Sequence, residues 1–172
     1  DALATKDIRM MFEGVDSCFY LYINQKFVAY SQVSHMTSEI VLNPYLNAGI
    51  NTVQVLVLKW CDGSYLEDQD KIRFSGIFRE VYLLLRDPVY LTDIYTRALP
   101  SENFKKATLT AELTANGKTD VTYQLVDPKG NEIASGNVAV DGGAVLTLDV
   151  DAPLLWSDET PDLYELYLTV GG

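Results

Sequence analysis

The side chains best suited to binding or catalysis are concentrated in residues 60–73, which we call the acidic loop. This polar segment lies between two apolar stretches, and four carboxylates fall within nine residues of it: Asp62, Glu67, Asp68 and Asp70. Carboxylates with aromatic neighbours can bind a sugar by accepting hydrogen bonds from its hydroxyls, or hold a hard cation such as Na⁺ or Ca²⁺. The alternative is an ordinary solvated loop in which Lys71 and Arg73 balance the acidic charge.

Two sites that depend on carboxylates are excluded for this loop. An EF-hand needs an Asp-x-Asp-x-Asp-Gly frame with a later Glu, and that frame is absent. A retaining glycosidase needs two carboxyl groups about 5 Å apart around the scissile bond, and an inverting one needs a wider separation. Because neighbours on one short loop can hardly surround a sugar, the sequence predicts no self-contained catalytic pair.

Two cysteines and one histidine are the other candidate ligands or nucleophiles. Cys18 and Cys61 cannot form a disulfide framework, and neither has a metal-site spacing with His35. A tetrahedral zinc site would be short of ligands. We expect both cysteines to be buried or half-buried free thiols, and His35 to lie in a loop or at a rim without a partner to orient it as a general base.

Composition narrows the classes of partner. The 172 residues include 13 Lys and Arg against 24 Asp and Glu, which gives a formal net charge of −11 and argues against nucleic acid as a partner. The chain is 48% hydrophobic, which excludes intrinsic disorder. No stretch approaches the ~20 apolar residues that span a bilayer, and the first residues lack a basic and then apolar leader. The sequence thus predicts neither a membrane anchor nor a signal peptide.

Strand patterns dominate the first half of the chain. Residues 52–59 are almost continuously apolar and β-branched, which predicts a strand covered on both faces. Residues 18–23 and 26–30 flank Asn24-Gln25 and predict a β-hairpin, although this turn lacks the usual glycine.

Shorter patterns complete the expected elements. A strand is predicted over residues 77–85, and one helical turn around residues 44–47. A turn is predicted at residues 127–131, where Pro and Gly occupy turn positions. In the second half, apolar residues alternate with a period of two and predict half-buried strands around residues 109–113, 121–125, 146–150 and 166–170.

Short strands that recur with turns between them predict an all-β chain of sandwich type. We expect a boundary near Asp87-Pro88, so that residues 1–87 and 88–172 form two parts. The second part has the size of an immunoglobulin-like sandwich but lacks the inter-sheet disulfide. The first part has too few strands to close by itself, which suggests half of a larger sandwich.

Several motifs carry a family likeness. The most specific is residues 62–70, which read Asp-Gly-Ser-Tyr-Leu-Glu-Asp-Gln-Asp, and it is accompanied by residues 12–19, 24–32, 38–39, 75–81, 155–157 and 161–164. Together they resemble the bacterial β-galactosidases of glycoside hydrolase family 2. The related β-glucuronidases and β-mannosidases do not usually carry the acidic motif, so the galactosidase branch is favoured. The likeness covers nearly the whole chain.

The resemblance implies a domain order of jelly-roll sugar-binding domain, immunoglobulin-like domain and (β/α)₈ barrel. Residues 1–87 would then be the C-terminal half of the jelly roll, and residues 88–172 the immunoglobulin-like domain. It implies that the barrel, outside this chain, holds the two catalytic glutamates and the magnesium ligands. The chain by itself would have no catalytic residue and no cofactor, would be inactive alone, and would serve a retaining β-galactosidase that is expected to be a homo-oligomer.

The resemblance also implies a role for one aspartate of the acidic loop. By motif position Asp70 would hydrogen-bond the galactosyl hydroxyls and ligate a sodium ion, with Asp68 the weaker candidate and Glu67 structural. Family members commonly have Met-Trp-Arg after that aspartate, whereas Lys71-Ile72-Arg73 follows here. We therefore expect an altered aromatic wall beside the sugar and an altered substrate preference.

Two alternatives accompany this interpretation. One is a stand-alone carbohydrate-binding or adhesion module with no enzyme attached. The other concerns Trp156, which could stack on a sugar but is expected to plug the core at the entry to the last strand.

Overall fold

The computed structural model describes residues 2–67, 72 and 74–171, and antiparallel strands dominate them, as predicted for an all-β chain. The chain divides into two compact parts, which we call unit 1 (Asp1–Pro88) and unit 2 (Val89–Gly172). No helix in the described ranges is long and apolar enough to cross a membrane.

The described part of unit 1 contains eight strands and three single-turn helices. The strands are β1 (Asp7–Phe12), β2 (Val15–Asp16), β3 (Cys18–Ile23), β4 (Lys26–Gln32), β5 (Ser38–Val41), β6 (Val53–Leu58), β7 (Gly76–Ile77) and β8 (Val81–Arg86). The helices are α1 (Ala2–Thr5), a 3₁₀ turn (Asn43–Tyr45) and α2 (Gly63–Leu66). Strands pair in the orders β5-β1-β8, β4-β3-β6 and β2-β7.

The two three-stranded sheets of unit 1 share one hydrophobic core. Alternate residues of β1 and β3 supply most of it: Ile8, Met10, Phe12, Phe19, Leu21 and Ile23. The rings of Phe12 and Phe19 touch across the sandwich, with centroids 4.4 Å apart. Burial of each such side chain is worth about 1.5–3 kcal/mol. The core therefore fixes the positions of the loops that leave the ends of these strands.

The hairpin predicted at Asn24-Gln25 is confirmed. These residues join β3 to β4 with φ of 50° and 66°, the two left-handed conformations of a type I′ turn. The Asn24 side chain compensates for the missing glycine: its Nδ2 donates to the Tyr45 carbonyl (3.1 Å) and to Asn51 Oδ1 (2.8 Å), and its Oδ1 accepts from the Thr52 amide (3.0 Å). The turn is thus stabilised by tertiary hydrogen bonds.

The prediction that residues 52–59 are covered on both faces is wrong. Val55 and Val57 of β6 pack against the core, whereas Leu56 between them is 52% exposed and Leu58 is 39% exposed. Among the described residues β6 pairs only with β3, and only one face of their sheet meets the β5-β1-β8 sheet. The continuous apolar run of residues 52–59 therefore does not mean that both faces of the strand are buried.

Two other expectations for unit 1 are refined. The strand expected over residues 77–85 is divided into two. β7 pairs with β2 and β8 pairs with β1, and residues 78–80 between them belong to neither ladder. The helical turn expected around residues 44–47 is the 3₁₀ turn, which begins one residue earlier and has Pro44 in its first turn.

Unit 2 contains six strands in its described residues. They are β9 (Leu91–Pro100), β10 (Lys106–Ala115), β11 (Thr119–Val126), β12 (Glu132–Val140), β13 (Gly143–Asp151) and β14 (Glu165–Val170). They form two sheets in the orders β13-β10-β9 and β12-β11-β14, which share one core. The predicted alternation is confirmed, since Leu113, Val121 and Leu125 are at most 1% exposed.

The prediction that Trp156 plugs the core is wrong, because its side chain is 60% exposed. Tyr164 anchors the segment between β13 and β14 instead. Its ring packs against the core of unit 2, and its hydroxyl accepts a hydrogen bond from the Leu154 amide at 2.9 Å. The irregular backbone of this segment offers no period from which the buried aromatic residue could be chosen.

The turn between β11 and β12 depends on one carboxylate. Asp127 Oδ1 accepts hydrogen bonds from the amides of Lys129 and Asn131, both at 2.8 Å, and Gly130 supplies the left-handed φ of 84°. Hydrogen bonds from the Asn131 side chain and backbone, together with that from Lys129, hold the pKa of Asp127 below its ordinary value. The turn predicted at residues 127–131 is therefore confirmed.

We expect Asp127→Ala to lower the Tm at neutral pH. A carboxylate whose pKa is lowered by folding stabilises the fold above its unfolded pKa, and this contribution is lost as pH falls through the folded pKa. The difference in Tm between wild type and variant should therefore narrow on acidification, as followed by circular dichroism. Asp162→Ala, at an exposed position, is the matched control, and a difference that stays constant with pH would contradict this account.

We expect Gly136→Ala to destabilise unit 2. Gly136 of β12 lies opposite Tyr123 of β11, and a Cβ there would lie 2.8 Å from the Tyr123 hydroxyl and 3.0 Å from Cζ. Because this ring packs against the core, its displacement should lower the free energy of unfolding by about 1–2 kcal/mol. Urea unfolding measures it. Gly143→Ala, whose Cβ would have only an ordinary contact at 3.7 Å, should change little, and equal effects would sink the prediction.

Candidate functional site

Three loops of unit 1 meet at one end of the β4-β3-β6 sheet. There Cys18, which begins β3, lies opposite Gln32 at the end of β4 and Leu58 at the end of β6. These connections are residues 13–17, which include the short strand β2, residues 33–37 and the acidic loop. Strand pairing thus brings together polar groups that lie far apart in sequence.

Asp16 and Ser17 fasten both ends of the acidic loop. The Ser17 amide donates to the Leu58 carbonyl (3.0 Å), and its hydroxyl oxygen lies 2.8 Å from the Lys59 carbonyl oxygen, just before the loop begins. Asp16 lies opposite Gly76 in the β2-β7 ladder, just after the loop ends. The loop is therefore held at its base by one dipeptide.

The carboxylate of Asp16 is buried, with 2% of the residue exposed. Its Oδ1 accepts from the hydroxyls of Ser17 (2.6 Å) and Ser34 (3.2 Å). Its Oδ2 is buried and has no hydrogen-bond partner among the described residues. Because a buried carboxylate oxygen without a donor is costly, it indicates a site that a hydroxyl, an amide or a cation would complete.

Ser34 links this carboxylate to the acidic loop. The Ser34 hydroxyl lies 2.8 Å from Glu67 Oε2, and the Ser34 amide donates to the same oxygen at 3.4 Å. Ser34 itself is 1% exposed. Two carboxylates from different loops therefore share one buried hydroxyl.

The start of the acidic loop folds into a capped helical turn. Asp62 Oδ1 accepts from the Gly63 amide (2.9 Å), and Ser64 Oγ accepts from the Cys61 amide (3.0 Å). The Glu67 amide donates to the Gly63 carbonyl (3.0 Å) and ends α2. Asp-Gly-Ser is a sequence typical of such a turn, which here carries Glu67 to Ser34.

Aromatic rings line the β2-β7 side of the site. Phe78 stacks on Phe74 with centroids 5.3 Å apart, contacts the His35 ring at 5.2 Å, and lies under the Arg79 guanidinium at 5.6 Å. This packing requires Gly14, because a Cβ there would lie 2.7 Å from Phe78 Cζ. His35 lies exposed in a loop, as predicted.

The structure describes some of the predicted site residues and not others. Asp70, predicted to bind substrate and sodium, and Asp68, its weaker alternative, lie outside the described residues. Glu67 is described and binds Ser34. Ile72 is 81% exposed. In the ranges that the structure describes, no group of three or more His, Cys, Asp or Glu side chains is arranged to hold a metal ion.

Sequence reasoning missed Asp16 and Ser34. The signal for Asp16 was a charged residue next to Ser17 in the otherwise apolar run from Val15 to Phe19, where an exposed side chain would interrupt the buried pattern. Ser34 had no such signal, because it lies in a polar loop and its burial depends on residues more than 15 positions away.

The two cysteines are free thiols, with Cys18 buried and Cys61 half-buried, as predicted. Burial raises the pKa of the Cys18 thiol. A buried thiol with a raised pKa is a poor nucleophile and metal ligand, which argues against Cys18 as a reactive group.

Comparison with known families assigns both units. The glycosyl hydrolases family 2 sugar binding domain matches residues 1–88, and a second glycosyl hydrolases family 2 domain matches residues 89–172. Among solved structures, a β-glycosidase from Bacteroides vulgatus is 26% identical with a TM-score of 0.81, covering 98% of this chain and 22% of its own. A β-glucuronidase from Parabacteroides merdae is 18% identical with a TM-score of 0.85, covering 97% and 24%, and shares the fold.

Relatives in sequence are β-galactosidases. That of Actinobacillus pleuropneumoniae is 46% identical over 158 residues, which are 91% of this chain and 15% of that protein. That of Staphylococcus xylosus is 43% identical over 163 residues, which are 94% of this chain and 16% of that protein. The chain thus spans about one-sixth of the length of these relatives. It belongs to glycoside hydrolase family 2 and comprises N-terminal sugar-binding and immunoglobulin-like domain sequence of that family.

Proposed function

We propose that this chain is the non-catalytic portion of a retaining β-galactosidase, which hydrolyses terminal β-D-galactosides. It buttresses the catalytic barrel and contributes Asp70 of the acidic loop to the galactose subsite. The observation that carries the proposal is the identity to β-galactosidases along almost the whole chain.

The geometry at Asp16 supports a sugar subsite at the base of the acidic loop. Within the described residues Asp16 Oδ2 is an acceptor without a donor, and a sugar hydroxyl is a donor that would satisfy it. Glu67, three positions before Asp70 in sequence, is tied to Asp16 through Ser34. Anchoring Glu67 limits how far the chain can carry the loop aspartate from Asp16. We therefore assign Asp16 as a second sugar contact.

The described carboxylates support a non-catalytic role. Asp16 and Glu67 are the two carboxylates that meet at the site, but the Ser34 hydroxyl occupies the space between them. A retaining pair must instead flank the scissile bond. In the proposed enzyme, two barrel carboxylates perform the double displacement, one as nucleophile and one as acid/base.

Sodium at Asp70 belongs to the same proposal, and magnesium belongs to the barrel. The unpartnered Asp16 oxygen and the acidic loop are hard oxygen donors of the kind that such cations prefer. A monovalent cation held there would fix the sugar hydroxyls in place, while proton transfer is left to the barrel.

We expect Asp70→Asn in the full-length enzyme to lower kcat/KM for p-nitrophenyl β-galactoside by about 100-fold, because it removes charge from a hydrogen bond and from the cation site. Steady-state kinetics with a thermal melt measure the effect. Asp93→Asn, exposed on β9, is the matched control. Wild-type kinetics in Asp70→Asn would remove this residue from the subsite.

A titration of the isolated chain with galactosides tests the rival function. The proposal predicts no measurable binding, because most of the subsite belongs to the barrel. Saturable binding by the 172-residue chain would favour a stand-alone carbohydrate-binding module and overturn the proposed function.

We expect Asp16→Asn to raise the free energy of unfolding of unit 1 by about 1 kcal/mol, since it replaces a buried carboxylate with a neutral amide and keeps the oxygen that accepts from Ser17 and Ser34. Urea unfolding measures the change, with Asp93→Asn again as the exposed control. A gain in stability from removing a site residue is the trade-off typical of functional sites. A clear fall in the free energy of unfolding would show that the charge on Asp16 Oδ2 is already stabilised by its surroundings.

A further inference from the structure

We propose that Ser34 is a positioning residue that couples Glu67, at the base of the acidic loop, to the buried carboxylate of Asp16. The inference deepens the proposed function and rests on it, because Asp16 is there a sugar contact. Ser34 itself touches neither substrate nor reacting atoms.

The contacts of Ser34 are directed at carboxylates from two different segments. Its hydroxyl lies 3.2 Å from Asp16 Oδ1 and 2.8 Å from Glu67 Oε2, and its amide adds a longer bond to the same Glu67 oxygen. Ser34 and Asp16 are both buried, at 1% and 2% exposure. Hydrogen bonds to ionised groups are the strong ones, and burial protects them from competition with water.

One hydroxyl carries one proton, so Ser34 donates to one of these carboxylates at a time. When the Ser34 hydroxyl donates to Glu67, the Ser17 hydroxyl is the remaining donor for Asp16 Oδ1. The Ser17 hydroxyl also lies within hydrogen-bond distance of the Lys59 carbonyl. A displacement of Glu67 therefore changes the donors available to Asp16. The Ser34 hydroxyl therefore couples the position of the acidic loop to the strength of the Asp16 carboxylate as a hydrogen-bond acceptor for the sugar.

The backbone before Ser34 indicates that its orientation is imposed by the surroundings. Val33 has a φ of 78°, a left-handed conformation that is disfavoured for a β-branched residue, and its side chain is 46% exposed. Such strain persists only where neighbouring interactions over-determine the conformation. The Val33 carbonyl accepts from the Met36 amide at 3.1 Å, and the following residue is directed into the carboxylate pair.

The test is a double-mutant cycle in the full-length enzyme. Ser34→Ala should lower kcat/KM for p-nitrophenyl β-galactoside about tenfold, the usual effect of losing a hydrogen bond to a charged group. In an Asp16→Ala background the same change should have a clearly smaller further effect, because part of what Ser34 does is exerted through Asp16 and only its hold on Glu67 remains. If the fold-loss in kcat/KM of the double variant equals the product of the two single losses, the inference is overturned.

Two further variants separate positioning from packing. Ser34→Cys fills the same space but offers only a weak donor, so we expect it to lose activity as Ser34→Ala does, with an unchanged Tm. Wild-type kinetics in Ser34→Cys would show that Ser34 only fills space and would overturn the inference. Ser31→Ala is the matched control, because its hydroxyl bonds Ser38 and no carboxylate.

The cycle also separates a failure of the proposed role of Ser34 from a failure of the proposed function. Unchanged kinetics in both Asp16→Ala and Asp70→Asn would overturn the proposed function and the inference with it. Suppose instead that kcat/KM is lowered in those variants, and that Ser34→Ala lowers it as much in the Asp16→Ala background as in the wild type. That result would overturn the inference about Ser34 and leave the proposed function standing.

Discussion

Asp16 is 2% exposed, so its carboxylate must draw its donors from the surrounding chain, and the described donors are the hydroxyls of the adjacent Ser17 and of Ser34 from the loop after β4. The backbone of Asp16 also pairs with Gly76, which follows the acidic loop, in the β2-β7 ladder. The three loops at this end of the sheet are therefore mutually dependent. Unlike a hydrophobic contact, this arrangement tolerates little displacement, because a hydrogen bond weakens steeply with geometry.

The sandwich below supplies the rigidity that such an arrangement needs. β3 lies at the centre of its sheet, and its core residues Phe19, Leu21 and Ile23 are at most 2% exposed. Its first residue lies directly beneath the site, and its last residue is followed by the hairpin that Asn24 stabilises. A central, fully packed strand thus determines where both the polar loops and the distal turn lie.

Local patterns in the sequence predicted the local structure well. The alternation around Leu113 and Val121, the hairpin at Asn24-Gln25 and the turn at Asp127 are short-range features, and the structure confirms each. What failed depends on distant residues. Leu56 is exposed because of where the opposing sheet lies, which no local pattern encodes. The same holds for the site: the acidic motif was recognised, but the Asp16–Ser34–Glu67 contacts arise only from strand pairing.

Each unit has a hydrophobic core of its own, and this has a thermodynamic consequence. A chain with two cores need not unfold in one cooperative step, so one free energy of unfolding is not guaranteed to describe it. The two tryptophans happen to be divided between the units, Trp60 in unit 1 and Trp156 in unit 2. Replacing either one leaves an intrinsic fluorophore that reports on a single unit, so the stability of each can be read separately from the same polypeptide.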